Sequence, residues 1–364
     1  MGALLRLIIL LGVGLVIGNV FHLRDIASQV WYQPGTSALL AVALYAATYS
    51  IDVLMARRHA KLITAAVTIG VLFKATIIGG IMAVLFGNPA NGVRGIAVSQ
   101  IDPLSVEKLM RKGSPMSGRA KTILRAWSSF DDPMTVLLGL YVPAFIVAPA
   151  VGSEPIAAGG WQAYVVGLGL NLVFATLVWL VWRYARTSVT STVLILVIGY
   201  SLLAFSFATA VMCLMMLGLA LVGLFLRPGE SHKAKVGADG EASDPFERFM
   251  GYAVEVCFAV AAILLGILLA AGINPVAGIA MGIVAYVAQI FVAIPLTRRL
   301  GWSDRVYLMF AQQLGITAII LALRFEPAYP GTVAIVAPTI VVCNLLHAIC
   351  NKWVVPRVIA LRTA

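Results

Sequence analysis

About twelve apolar runs, each of roughly 17–25 residues, succeed one another along the 364-residue chain, and runs of that length match the thickness of a bilayer. They lie near 3–20, 36–56, 61–86, 91–111, 121–147, 160–184, 188–204, 205–227, 248–272, 275–297, 305–325 and 332–354, with a turn expected near Phe205 inside the long stretch 188–227. Inside hydrocarbon every backbone N–H and C=O must find a partner within its own segment, so such runs fold as helices. With 61% apolar and only 11% charged residues, the chain cannot cover itself as a soluble globule. The expectation is an all-α polytopic membrane protein of about 12 transmembrane helices, forming a single transmembrane domain over 1–364. The longest polar run, 227–248, is too short for a core of its own. Its Gly, Ser, Glu and Lys content reads as a flexible connector, a cytoplasmic loop at 228–247.

The basic residues test the span count independently. Arg57, Arg58 and Lys61 follow the second run, while Lys108, Arg111, Lys112, Arg119 and Lys121 follow the fourth. Arg183 and Arg186 end the sixth, and Lys233, Lys235 and Arg248 follow the eighth. Arg298, Arg299 and Arg305 follow the tenth; Lys352, Arg357 and Arg362 follow the twelfth. Every even-numbered run thus ends in a basic loop, the positive-inside pattern with both termini cytoplasmic. Arg24, beside Asp25, and Arg94 are the exceptions on the outer side. The formal charge of +11 is accounted for by these loops and does not indicate nucleic acid. Cys213, Cys257, Cys343 and Cys350 lie in apolar stretches without paired spacing and read as small core residues. The first run imitates a signal peptide, with Arg6 ahead of apolar residues, but Gly12, Gly14 and Gly18 suit a packed first span instead.

Two runs are poor apolar helices. The fourth, Asn91-Gly-Val-Arg-Gly-Ile-Ala-Val-Ser-Gln-Ile-Asp-Pro-Leu-Ser105, carries Asp102-Pro103 at its middle, where proline disfavours helical geometry at the preceding residue. The eleventh carries Gln312-Gln313-Leu314-Gly315-Ile316-Thr317 near its centre. Interrupted helices at matching places in two halves point to a transporter's binding site. The eleventh comes seven places after the fourth, an odd number, so they cross the membrane in opposite directions as an inverted pair. The fifth run holds Trp127-Ser-Ser-Phe-Asp-Asp-Pro-Met-Thr135, which places Asp131 and Asp132 about a turn and a half into an apolar stretch expected to run to about Val147. Each ionisable group at membrane depth costs at least ~2.5 kcal/mol, so two together call for a function. Ser128 lies four residues before Asp132, on the same helix face, and Pro133 loosens the carbonyls of the preceding turn. Carboxylate, hydroxyl and carbonyl oxygens together suit a hard cation. Two adjacent carboxylates do not both ionise cheaply, so without a cation the pair holds a proton.

These residues resemble the monovalent cation/proton antiporter superfamily, of the bacterial sodium/proton exchanger type. Leu11-Gly-Val-Gly-Leu-Val-Ile-Gly18 looks like that family's glycine-rich first core helix. Residues 45–59, with the basic loop behind them, look like its second helix. Ile101-Asp102-Pro103 sits where the family has Thr-Asp-Pro, and residues 127–132 match its segment ending in Asn-Asp or Asp-Asp. The stretch 304–321 resembles the one bearing the second broken helix. The resemblance implies an inverted-repeat antiporter fold in which the fourth and eleventh spans cross. The core spans would be about 61–147 and 275–354, and the remainder a scaffold and dimer bundle. It puts Asp132 on the ion-binding aspartate and Ser128 on a ligand serine. There are departures: Ile101 replaces the threonine, Trp127 stands where many relatives have glutamate, and Leu314 where arginine is common. Gln289 occupies the place of the usual lysine or arginine. Lys74, in the third span that pairs with the tenth under the repeat, is a candidate replacement; pairing with Glu255 or Asp52, or snorkelling, is the plainer alternative.

The function expected is exchange of Na⁺, or K⁺ or Li⁺, for H⁺ at Asp132 by alternating access, with Ser128 and loosened backbone near Asp102 completing an oxygen shell. Asp131 bears on stoichiometry, since an aspartate here accompanies electrogenic exchange in relatives. Asp102 either neutralises half-helix N-termini or caps one of them. Glu255 is a funnel or structural acid; Gln312, Gln313 and Thr317 would satisfy loosened backbone in the second break. Asn344 and His347 lie a turn apart in the last span, as packing or as a pH sensor. No cofactor is expected beyond the transported ions. The expected setting is a bacterial-type inner membrane, with homodimerisation through the scaffold. Two other readings stay open. A membrane prenyltransferase would use Asp131 and Asp132 to hold Mg²⁺–diphosphate, but no second acidic cluster follows. A cation-coupled symporter or transport-dead sensor would share the architecture. An intramembrane aspartyl protease is disfavoured because no Gly-x-Gly-Asp sequence occurs.

Overall fold

The structure is a computed structural model that describes residues 2–23, 25–49, 51, 60–103, 106, 109, 115–141, 160–228 and 245–363. Asp52, Arg57, Arg58, Ser105, Lys108, Arg111, Lys112, Lys233, Lys235, Arg24, Val147 and most of the 228–247 loop lie outside the described residues. Helices α1 (Gly2–Val20) and α2 (Tyr32–Tyr49) open the chain. Helix α3 begins as Ala60–Ala65, passes through a π-helical turn at Ala66–Gly70 and continues as Val71–Phe86. There follow α4 (Ala90–Ala97), α5 (Gly118–Tyr141), α6 (Gly160–Ser188), α7 (Thr192–Cys213) and α8 (Met216–Gly223). The last part comprises α9 (Pro245–Leu269), α10 (Pro275–Leu296), α11 (Trp302–Met309), α12 (Ile316–Phe325) and α13 (Thr332–Ile349). A π turn at Cys350–Val354 extends α13 into Val355–Thr363. Among the described residues there is no strand. Six helices are long and apolar enough to cross a membrane, and Leu4–Val20 and Ile316–Phe325 are shorter apolar helices.

The expected turn near Phe205 is displaced. Helix α7 runs unbroken through Phe205 and ends at Leu214, whose φ of 56° is left-handed. No glycine or proline occurs between Gly199 and Gly218, so nothing in the local sequence marks that break. Tertiary structure supplies it: Asn171 Oδ1 on α6 accepts the Gly218 N–H (2.7 Å), satisfying one of the free donors at the start of α8. Helix α5 starts at Gly118, so the two acids lie about three and a half turns into it rather than a turn and a half.

Close helix contacts come from small residues, as expected where lipid offers no hydrophobic drive for association. A Cβ on Gly266 of α9 would lie 2.3 Å from the Leu11 carbonyl of α1, so these two helices touch backbone to backbone. The same device joins α3 to α4, where a Cβ on Gly95 would lie 2.6 Å from the Gly79 nitrogen. Helix α10 starts with Pro275 after Asn274, whose side chain accepts the Ala277 N–H at 3.1 Å. Glu326 does the same for α13, accepting from Gly331 N (2.8 Å) and Val333 N (2.6 Å). A separate apolar cluster includes Ile63, Ile101, Leu124, Trp127, Val292 and Leu308 among its buried members.

Candidate functional site

Both interruptions are present. Helix α4 ends at Ala97 and residues 98–102 leave helical geometry; α11 ends at Met309 and α12 restarts at Ile316. Each break frees backbone groups that need partners. The two breaks supply one another: the Asp102 N–H donates to the Gln313 carbonyl at 3.0 Å. Gln312 reaches the other way, its Nε2 donating to the carbonyls of Gln100 (2.9 Å) and Val98 (3.3 Å). Asn344 of α13 brackets Leu314, accepting its N–H at 2.9 Å and donating to its carbonyl at 2.8 Å. Phe310 is held through its carbonyl by Asn351 (3.1 Å) and the Tyr286 hydroxyl (3.3 Å).

The adjacent acids, about 100° apart around α5, go to different breaks. Asp131 faces the first: its Oδ2 accepts the Ile101 N–H at 2.9 Å and lies 3.4 Å from Lys74 Nζ. Asp132 faces the second: its Oδ2 accepts the Thr317 hydroxyl at 2.8 Å, one residue into α12. Both carboxylates and Lys74 are essentially inaccessible. Asp102, Asp131 and Lys74 all lie within charge–charge range of Asp132. Asp131 Oδ1 and Asp132 Oδ1 have no protein hydrogen-bond partner.

Lys74 is the centre of a four-residue knot. Its ammonium has three protons, and three oxygens receive them: Asp131, Gln289 Oε1 (3.0 Å) and Gln312 Oε1 (3.1 Å). An ammonium cannot accept, so both amides must turn their oxygens toward it and their NH₂ groups away. Those NH₂ groups end on loosened backbone, Gln312 as above and Gln289 on the Leu308 carbonyl at 3.1 Å. The charge on α3 is thereby wired to both interruptions. The π turn at Ala66–Gly70 lies one turn before Lys74, and a π turn inside an α-helix is frequent at functional positions.

Several expectations change. Lys74 pairs with Asp131, not with Glu255. Glu255 is 62% exposed on α9, bonded to Arg6 at 2.7 Å, and the structure does not bring it to the cluster. Thr317 bonds the acid and not loosened backbone. Of the neighbouring glutamines, Gln312 supplies its side chain, whereas Gln313 contributes its carbonyl. Ser128 is buried on the Asp132 face, its hydroxyl donating to the Arg125 carbonyl at 3.2 Å. His347 is buried, with Asn351 against its ring. Among the described residues no three His, Cys, Asp or Glu side chains group as a metal site.

A helical membrane protein with buried acids held between two facing interruptions has the build of a secondary transporter. Residues 4–355 match the sequence family described as "Sodium/hydrogen exchanger, transmembrane", and the chain belongs to that family. This places it among transporters rather than enzymes. Among solved structures it is similar to the sodium proton antiporter MjNhaP1 from Methanocaldococcus jannaschii at pH 8. The TM-score is 0.72 at 14% identity, over 95% of this chain and 92% of that one. An electron-microscopy structure of the same antiporter gives a TM-score of 0.64 at 18% identity, over 96% and 90%. The fold is thus that of the antiporter. No curated protein sequence matches.

Proposed function

We propose that this protein exchanges a monovalent cation, Na⁺ or K⁺ or Li⁺, for H⁺ by competition at Asp132. The observation that carries the reading is the division of labour between the paired acids. Lys74 and the Ile101 amide hold Asp131, while Asp132 has a single neutral donor, Thr317. A buried carboxylate without a cationic partner must neutralise itself, with a proton or with a metal ion. Ser128, one turn back on α5, and loosened backbone near Asp102 would offer further oxygens to the ion. Lys74 takes the part of the cationic residue that relatives carry in the tenth span, where Gln289 stands here. The two interrupted spans cross as an inverted pair within a core of about 61–147 and 275–354. That core moves against the remaining helices, which also form the homodimer surface. Both termini face the cytoplasm of a bacterial-type cell, and the transporter lies in its inner membrane.

In proteoliposomes Asp132→Asn removes ΔpH-driven cation flux; flux at the wild-type level rejects the assignment. Competition also sets a pH dependence. As pH falls, the half-saturating cation concentration rises, by about tenfold per pH unit once the proton dominates. Solid-supported-membrane currents with Na⁺, K⁺ and Li⁺ measure this, and their sign reports electrogenicity. A half-saturation that is flat across pH excludes a shared carboxylate.

A further inference from the structure

Among the described residues, the buried serine and threonine hydroxyls find an acceptor except for two on α5. Among buried helical threonines, Thr36, Thr48, Thr297 and Thr339 each donate to the carbonyl four residues back. Thr332 bonds the carbonyl of Tyr329, and Thr317 turns instead to Asp132. Buried serines behave alike: Ser37, Ser99, Ser128 and Ser206 all bond a nearby carbonyl. Thr135 and Ser129 are fully buried and their hydroxyls have no partner. A buried hydroxyl without a partner costs about 1–3 kcal/mol, a cost that a bound water or ion would offset.

Position decides which exception matters. Thr135 lies three residues beyond Asp132 and four beyond Asp131, so helical spacing puts its side chain against both acids on one face. Ser128 lies on the same face, one turn on the other side of Asp132. Thr135 Oγ1 and Asp132 Oδ1, neighbours on α5, are therefore both unpartnered and buried. Hydroxyl and carboxylate oxygens on one face within one helical turn form a set that a dehydrated hard cation satisfies and a proton does not.

We propose that Thr135 is a further ligand of the transported cation and shapes its size selectivity. The proposal rests on Asp132 being the exchange carboxylate. The Thr135 hydroxyl would coordinate the ion beside Asp132 and stand idle when that carboxylate carries a proton. It then favours the cation-bound state and leaves the protonated state unaffected.

The test is Thr135→Val, which removes the hydroxyl at nearly constant shape, with Thr135→Ser as the conservative variant and Asp132→Asn as control. Two readouts are used: the Na⁺-dependent rise in Tm of the purified protein, and flux of Na⁺, Li⁺ and K⁺ in proteoliposomes. In Thr135→Val the half-saturating Na⁺ concentration rises about tenfold in both and the Li⁺:Na⁺:K⁺ order changes; Thr135→Ser restores the wild-type values. The ion-free Tm of Thr135→Val equals or exceeds that of wild type, because the hydroxyl removed has no partner to lose. Should Thr135→Val not purify folded, Thr135→Ala is read the same way. Wild-type half-saturation and ion order in the valine or alanine variant, with response lost in Asp132→Asn, overturn the role of Thr135 alone. A full Na⁺ response in Asp132→Asn overturns the exchange carboxylate and this proposal with it.

Discussion

Thr317 and Lys74 each claim one acid of the adjacent pair, and the difference between them is one of charge. Lys74 and Asp131 are both withdrawn from water, at several kcal/mol per ion, and compensate one another with the two glutamines. Removing one partner of such a pair leaves the other stranded, so Lys74→Met should destabilise the protein by about 3–5 kcal/mol. Thermal unfolding in detergent checks this, and an unchanged Tm would mean that the ion pair contributes nothing. Thr317→Val, in contrast, removes one neutral donor from Asp132 at a cost of about 1 kcal/mol. Its effect should lie chiefly in cation affinity and its pH dependence. The acids and Lys74 were legible as charges at membrane depth, which demand partners whatever the fold. The assignment of partners was not, because Gln312 and Gln313 occupy an unwound segment where neighbouring side chains diverge and sequence gives no orientation. Thr135 escaped notice for a related reason: a threonine in a helix ordinarily bonds its own backbone, and only the geometry reveals one that does not.

Helices α3 and α10 pack together and deliver Lys74 and Gln289 to the same point, and the segment between α11 and α12 closes it with Gln312. An ammonium brought in on either helix would meet the same acceptors. Lys74→Gln alone should lower flux by roughly a hundredfold, and adding Gln289→Lys should recover a substantial part, since residues in one network couple strongly. Losses that simply multiply in the double variant would separate the two positions. Packing sets how well this arrangement is held. Gly95 of α4 lies against the Gly79 backbone, and a Cβ there would come within 2.6 Å of its nitrogen. Gly95→Ala should therefore push α4 from α3 and cost about 1–3 kcal/mol, seen as a lower Tm. The interruptions themselves were readable from Asp102-Pro103 and from the glutamine–glycine run. The end of α7 was not, because no glycine or proline marks Leu214, and the bond that caps the start of α8 comes from Asn171, far away in sequence. Glu255 shows the converse: an acid in an apolar run turned outward to Arg6, a choice that helix rotation alone decides.

For the molecule as a whole, the C-terminal end of α12 is gripped by α2. The Tyr32 hydroxyl donates to the Leu323 carbonyl at 2.9 Å, Gln33 donates to the Arg324 carbonyl at 3.4 Å, and the Arg324 guanidinium bonds Ser37. If the core carrying α12 shifts against the bundle carrying α2, these contacts break and reform in every cycle. A disulfide between Gln33→Cys and Arg324→Cys should then arrest flux, with reductant restoring it; undiminished flux in the crosslinked protein would place the moving boundary elsewhere. That the chain is a helical membrane protein followed from hydropathy, since bilayer thickness acts on sequence directly. Which runs travel together did not, because that depends on contacts between distant residues. One such contact limits the motion. The amide of Asp102 is capped by the carbonyl of Gln313, so sliding one interruption past the other would strand both groups in hydrocarbon. Under the exchange proposed above, the two gaps would ride as one carriage, and gates opening in turn would lie at its edges rather than between them.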